Sequence, residues 1–470
     1  MRNLFFYAFV ITSLLSVNAQ KLTLKKGVII DSIIINDTIQ ESYALFLPSN
    51  FDTTKKWPIV FAFDVNGQGS MSLKKLRQGA EKNGYILAAT NNVFDSISLT
   101  KNILVTSRMM NNVFSILPIH QKRIYVAGFD YGARYASILP IVIKNLNGVI
   151  SFEEPISNSD VLNPNKPFHY IGVSSIENFN LQEMQLTEKS LNKLRFSNQL
   201  YVYDKQSLNV FNIIDKAFES FTLSAMAKGV IAKDSIFINE TYNTNLSQIN
   251  KLVEKKKLLA AFDLMMIVEE IYRPLKEVED LKSKYKTLKK EKTYKALKRT
   301  ETNTYFKEVL LREDFDYAIY EDVLTYNFNN LGWWKYQSEE IEKFIADNDA
   351  QVSNMGKRLS GFVDYLVDSN LKTLNGEENL DEEGLLFLWM LNTIIHPNDF
   401  QAYKNIISYS AKHEDYDTAL FYLEELLKAG YKNKESLYTI ENTALLKITP
   451  EYNVLINKYL KGARYEVIEQ

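Results

Sequence analysis

The chain carries two hydrophobic periods in succession. From about residue 27 to residue 229, short apolar runs alternate with stretches of helical spacing. "GVIIDSIII" and "ESYALFLP" predict an opening pair of strands. "WPIVFAF" (57–63) and "GYILAAT" (84–90) are continuous apolar runs, the pattern of strands buried on both faces. "RIYVAG" (123–128), "GVISF" (148–152), "FHYIGVS" (168–174) and "QLYVYD" (199–204) follow. Helical spacing recurs between them, near 72–82, 101–117, 131–144, 180–194 and 210–228. Strands alternating with helices imply an α/β fold, a mostly parallel sheet flanked by helices on both sides.

Around "DSIFINETYNTNLSQ" (234–248) the alternation stops, and helical periodicity continues to the end. The change places a linker at 233–250, between an α/β domain (21–232) and an all-α domain (251–470). Residues 282–299 are rich in Lys, with sparse apolar positions at Leu281, Tyr285, Leu288 and Leu297. That predicts a long, solvated helix projecting from the body, with a basic docking face as the alternative. "AYKNIISYSAKHEDYDTALFYLEELLKAGY" (402–431) sets Tyr403, Ile406, Ile407, Tyr416, Ala419, Leu423 and Leu426 where a helix-turn-helix repeat packs. The stretch resembles one degenerate tetratricopeptide unit. A solenoid needs about three, so the expectation is a helical domain with a repeat-like end. Trp333, Trp334 and Trp389 read as core residues of that domain.

Composition removes several function classes. A net charge of -2 gives no field for nucleic acid or an anionic membrane. The absence of cysteine excludes disulfides, thiolate nucleophiles and thiolate metal sites. Only 4 His are present, which limits where a general base can come from. The N-terminus, "MRNLFFYAFVITSLLSVNAQ", has a basic start, a short apolar run and a Val17-Asn18-Ala19 cleavage signature. It reads as a signal peptide over 1–20, too short to span a bilayer. The expectation is an exported protein, periplasmic or peripherally held at the outer membrane, with no transmembrane segment in the mature chain.

"RIYVAGFDYGAR" contains Gly128-Phe129-Asp130-Tyr131-Gly132, the G-x-S-x-G nucleophile elbow with Asp in the place of Ser. With "WPIVFAFDVNGQG", "GYILAATNN" and "QLYVYDKQSLNVFNIIDKAFESFTLSAMAKG", it resembles the α/β-hydrolase fold. More narrowly, residues 27–229 resemble exported Bacteroidetes proteins akin to polyhydroxybutyrate depolymerases and dienelactone hydrolases. The resemblance implies an oxyanion hole from the backbone N–H of Tyr131 and a donor near Val65 or Asn66. It puts Asn178 at the position of the triad acid, with Glu177 beside it as a substitute. It puts Ser207 at the position of the triad His. His120, His169, His396 and His413 stand elsewhere in the chain. An Asp nucleophile has precedent in this fold, in haloalkane dehalogenases and epoxide hydrolases, but it needs a base to release the ester. Asp130 is therefore expected to rest as a capping carboxylate on the N-terminus of the elbow helix.

Asp64, Asp130, Glu153 and Glu154 all follow sheet strands, where ligands bind in such folds. The alternative to plain turn and surface roles is an acidic crevice for an amine, a basic peptide or a divalent cation. No other cofactor or metal is expected. Together these residues point to a pseudoenzyme serving as a binding or scaffolding subunit, with a protein partner in the cell envelope. The alternatives are an esterase using Asp130, and a small-ligand receptor using the relic pocket.

Overall fold

All seven residues of Trp57–Phe63 are buried, and they alternate between two cores. Ile59, Phe61 and Phe63 enter one, Val60 and Ala62 the other, as the two-residue period of a strand requires. In this computed structural model, residues 24–36, 38–204 and 210–465 are described. They form two units: one comprises residues up to Ser175 and Leu181–Tyr285, the other Ile176–Asn180 and the chain from Lys286 on. The expected signal peptide lies outside the described residues. Among the described residues, no helix is long and apolar enough to cross a membrane.

The strands of the first unit are β1 (Ile29–Asn36), β2 (Ile39–Phe46), β3 (Trp57–Phe63), β4 (Ile86–Thr90), β5 (Ile119–Phe129), β6 (Gly148–Phe152), β7 (His169–Ser175) and β8 (Asn198–Tyr203). They make one sheet in the order β1-β2-β4-β3-β5-β6-β7-β8. β1 and β2 pair antiparallel, β2 pairs antiparallel with β4, and the remaining neighbours are parallel. The helices between them are α1 (Gly69–Asn83), α2 (Leu99–Ile116), α3 (Tyr131–Val142), α4 (Leu181–Lys193) and α5 (Val210–Ala227). Val105, Met109 and Val113 of α2, Leu139 of α3 and Leu191 of α4 fill one core. Leu73, Leu76 and Ala80 of α1 and Ile214, Phe218 and Phe221 of α5 fill the other. The order and the two-sided helical cover make this an α/β-hydrolase-like sheet.

Residues 233–250, expected to link the domains, instead fall almost wholly in α6 (Ser235–Glu254). Asp234 caps it by accepting from the amides of Ile236 and Phe237. Ile238, Asn245, Ile249 and Leu252 are buried at helical spacing. α7 (Leu258–Tyr272) packs beside it, and the first unit continues to Tyr285.

The Lys-rich stretch is not one projecting helix. It divides into α8 (Glu279–Leu288) and the start of α9 (Lys292–Thr325), and Leu281, Leu288 and Tyr294 are buried. In the second unit, α9 packs with α10 (Leu331–Ile345), α11 (Ala350–Asn375) and α12 (Glu382–Ile395). Trp334, Phe315, Met355, Leu359 and Phe387 are central to that core, and the Trp334 indole donates to Asp322 Oδ2 at 2.8 Å. α13 (Phe400–Lys412) and α14 (Tyr416–Lys428) pair with one another, followed by α15 (Lys434–Leu437) and α16 (Pro450–Leu460). Tyr403, Ile407, Ala419, Leu423 and Leu426 are buried in that pair.

Candidate functional site

β5 ends at Phe129, and the chain turns through Asp130 straight into α3. The turn is sharp because two glycines allow it. A Cβ on Gly128 would stand 2.1 Å from the Gly132 carbonyl oxygen. One on Gly132 would stand 2.5 Å from the Phe63 carbonyl oxygen. Both obstructions are backbone, so neither can yield, and both positions require glycine. Asp130 itself sits at φ 50°, ψ -131°, a conformation costly for any residue with a Cβ. The strand, strained turn and helix have the backbone form of a G-x-S-x-G elbow.

The carboxylate on that elbow does not cap the helix. Asp130 is exposed, and among the described residues its side chain accepts no hydrogen bond. Its carbonyl takes the first bond of the turn, from Ala133 N at 2.8 Å. The capping role expected for the carboxylate is thus corrected: with φ positive, the side chain is carried away from the first-turn amides that a cap must reach.

The loop after β3 is gathered by the side chain of Asp64. Asn66 N–H donates to Asp64 Oδ1 at 3.0 Å, and Gln68 N–H donates to the same oxygen at 3.0 Å. Asp64 Oδ2 accepts from Ser72 Oγ of α1 at 2.8 Å. Asp64 is therefore a turn residue that gathers its own loop, and both its oxygens are engaged. The donor assigned to Asn66 is aimed at a resident carboxylate instead of a substrate oxyanion. Tyr131, the other assigned donor, opens α3; its ring is partly exposed, with the Arg134 guanidinium 5.8 Å from its centroid.

The two glutamates after β6 are held by protein groups rather than pointing into solvent. Glu153 has φ 63°, and its carboxylate accepts from Tyr203 OH at 2.6 Å and from the Ser175 amide at 3.0 Å. Glu154 is buried and pairs with Arg134 Nε at 2.6 Å. Among the described residues, no three Asp, Glu or His side chains are grouped to hold a metal. Arg134 and Tyr203 are what sequence reasoning missed here. Arg134 was visible as a cation one turn into the elbow helix, where an acidic partner is needed to balance it.

The loop expected to carry the acid, Ile176–Asn180, belongs to the second unit. Asn178 Oδ1 accepts from Asn180 N–H at 2.7 Å, an Asx turn leading into α4. Glu177 forms an ion pair with Lys357 at 2.6 Å. Arg358 Nη1 donates to the Ile176 carbonyl at 2.7 Å, and Arg312 donates to that of Phe179. Both arginines are buried and pair with Glu308, which is wholly buried. The Phe179 ring stacks on Tyr365 at 5.2 Å. The loop is held at nearly every residue. Ser207 lies outside the described residues.

No histidine reaches the elbow along the sheet. His120 is the second residue of β5, roughly 30 Å from Asp130 at ~3.3 Å per residue. Burial and the nearby Arg123 push its pKa down. His169 opens β7, is buried against Gln199, and is held by burial at a pKa of about 4. His396 pairs with Asp364 and His413 with Glu382, both in the second unit.

No protein-family model matches the chain. No curated protein matches it either. Solved structures similar to it share about two fifths of its length. Esterase 2 of Thermogutta terrifontis is 11% identical, with a TM-score of 0.34, over 43% of this chain and 96% of that one. A dienelactone hydrolase of Anabaena variabilis is 12% identical, with a TM-score of 0.33, over 41% and 97%. A Bacteroides ovatus protein named as a dipeptidyl aminopeptidase IV is 13% identical, with a TM-score of 0.30, over 42% of this chain and 35% of its own. The fold class rests on the strand order and the elbow rather than on these likenesses.

Proposed function

We propose that the first unit is a hydrolase-type fold that has lost turnover, and that the protein acts as a binding or scaffolding subunit in the cell envelope. The observation that carries this reading is the occupied amide of Asn66. A catalytic oxyanion hole keeps its donors aimed at the position where charge develops, and here one is already satisfied by Asp64. The rest of the site agrees. Asp130 has no partner that could act as a base among the described residues, and Asn178 is engaged in its own turn. The helical unit, with its repeat-like end, supplies surface of the kind that binds other proteins. The leader-like N-terminus supports a mature chain in the periplasm or at the outer membrane.

Affinity purification from native membranes tests the scaffold reading directly. A stoichiometric co-purifying envelope protein is expected. Recovery of the chain alone, with turnover of short acyl esters that Asp130→Ala abolishes, would overturn it. The second reading, an esterase with Asp130 as nucleophile, is favoured by the preserved elbow: Gly128, Gly132 and the positive φ of Asp130 are what an attacking side chain requires. For it, the expected product is an ester trapped on Asp130, visible as a mass increase of the intact chain after incubation with an activated ester. A small-ligand receptor is the third reading and predicts neither a partner nor an adduct.

A further inference from the structure

The second unit carries an apolar stripe on the outside of its longest helix. On α9, Phe306, Leu310, Tyr317, Tyr320 and Leu324 are each between 61% and 68% exposed. The inner face of the same helix holds Thr304, Glu308, Arg312, Phe315, Ile319 and Val323, all buried. The outer residues, with Glu313 between them, follow steps of four and three along the helix. That is the heptad spacing of a seam made for another helix. Isolated exposed apolar residues are ordinary, but five on one stripe about 27 Å long, at ~1.5 Å per residue, are not.

We propose that this stripe is the two-fold interface of a homodimer, in which α9 of one copy lies antiparallel to α9 of a second. The spacing admits a second copy of the same helix, because it is symmetric about Phe315. Antiparallel pairing on that centre sets Phe306 against Leu324 of the second copy and Leu310 against Tyr320. It also sets Glu313 against Tyr317, whose hydroxyl can donate to the carboxylate. Every residue of the stripe then meets another residue of the stripe, which is the condition for a closed, isologous contact. Lys307, whose ammonium lies 4.0 Å over the Phe344 ring, stands on the same flank as Glu321, and the two-fold brings each beside the other copy's opposite charge. Asp314 and Asp316 meet their own counterparts near the axis, so the dimer tightens as salt screens them.

The area is adequate. At ~150–250 Å² for an aromatic side chain, the five exposed groups offer roughly 600 Å² per copy, against about 800 Å² in a standard interface. A lipid surface is a poorer fit. Glu313 interrupts the stripe, and Asp314, Asp316 and Glu321 border it, whereas interfacial helices carry Lys and Arg there.

The chain has no cysteine, so engineered pairs report without background. In the full chain from residue 21, Phe306→Cys with Leu324→Cys is expected to give a covalent dimer under mild oxidation, and neither single substitution should. Analytical ultracentrifugation should show a reversible dimer whose dissociation constant rises about a hundredfold in Leu310→Lys/Tyr320→Lys, two exposed positions that face one another across the two-fold and whose change leaves the far-ultraviolet spectrum intact. A chain monomeric at ~100 µM, a dimer indifferent to the lysine pair, or covalent dimers from Phe306→Cys alone would each overturn the proposal. So would a monomer that floats with phosphatidylglycerol vesicles through this stripe.

Discussion

Replacing Asp130 by glycine is expected to stabilise the first unit. The residue holds φ 50°, ψ -131°, a conformation only glycine adopts without penalty, and such strain is worth ~1–3 kcal/mol. Against that, a glycine there loses more entropy on folding, ~0.4–1 kcal/mol. Removing a carboxylate beside a helix N-terminus costs a further ~0.3–1 kcal/mol. The side chain makes no cap, so nothing else is lost, and the balance is a gain of about 1 kcal/mol. Asp130→Asn isolates the charge term, since it keeps the strain and the shape. Hydrogen exchange by mass spectrometry in the peptides of β3 and β5 reads the result, because these strands open only with the sheet. A gain of ~1 kcal/mol slows exchange about fivefold. Unchanged or faster exchange in Asp130→Gly would refute the reasoning, because it would mean that the carboxylate holds something the strain was kept for.

Two buried groups of the first unit should tilt its pH dependence in opposite directions. His169 is held neutral, with its pKa at about 4 against 6.5 unfolded, so its contribution is present above pH 6.5 and is lost as pH falls toward 4. His169→Gln should therefore flatten the acid side of a thermal-melt profile by up to ~3 kcal/mol. Glu188 behaves inversely: burial first, then the carboxylates of Asp263 and Glu270, raise it to about 7 from 4.5. Its contribution is present below pH 4.5 and is lost as pH rises through 7, so Glu188→Gln should raise the melting temperature at pH 8 and leave it unchanged at pH 4. In the second unit, Arg358→Met takes the bidentate partner from the wholly buried Glu308, which keeps Arg312, and should cost ~2–3 kcal/mol. Lys357→Met, at a partly exposed pair, should cost ~1 kcal/mol or less. Tryptophan emission during guanidinium unfolding separates them, since three of the four tryptophans lie in that unit.

The eight strands were legible because apolar runs this short and continuous fit strands buried on both faces. The elbow was legible because its two glycines are demanded by backbone contact. α6 was harder to see. Its buried face includes Thr241 and Asn245, and Asn245 accepts from the buried Lys216 rather than presenting an apolar edge. Polar residues that satisfy one another inside a fold look, in sequence, like a solvated linker. The same holds for Glu308, Arg312 and Arg358, spaced along two helices with nothing to announce that they meet. Asp64 is the reverse case. "DVNGQG" is a plain turn signature, and only the three-dimensional contact shows that the Asn66 and Gln68 amides are taken by Asp64.

The grip on Ile176–Asn180 is in part a grip on main chain. Arg358 and Arg312 take hold of main-chain oxygens, which every amino acid supplies alike. That part of the grip is indifferent to side-chain identity, whereas Glu177 and Asn178 hold the loop through their own side chains. A carboxylate placed at residue 178 would therefore enter a segment whose main chain is already fastened from outside.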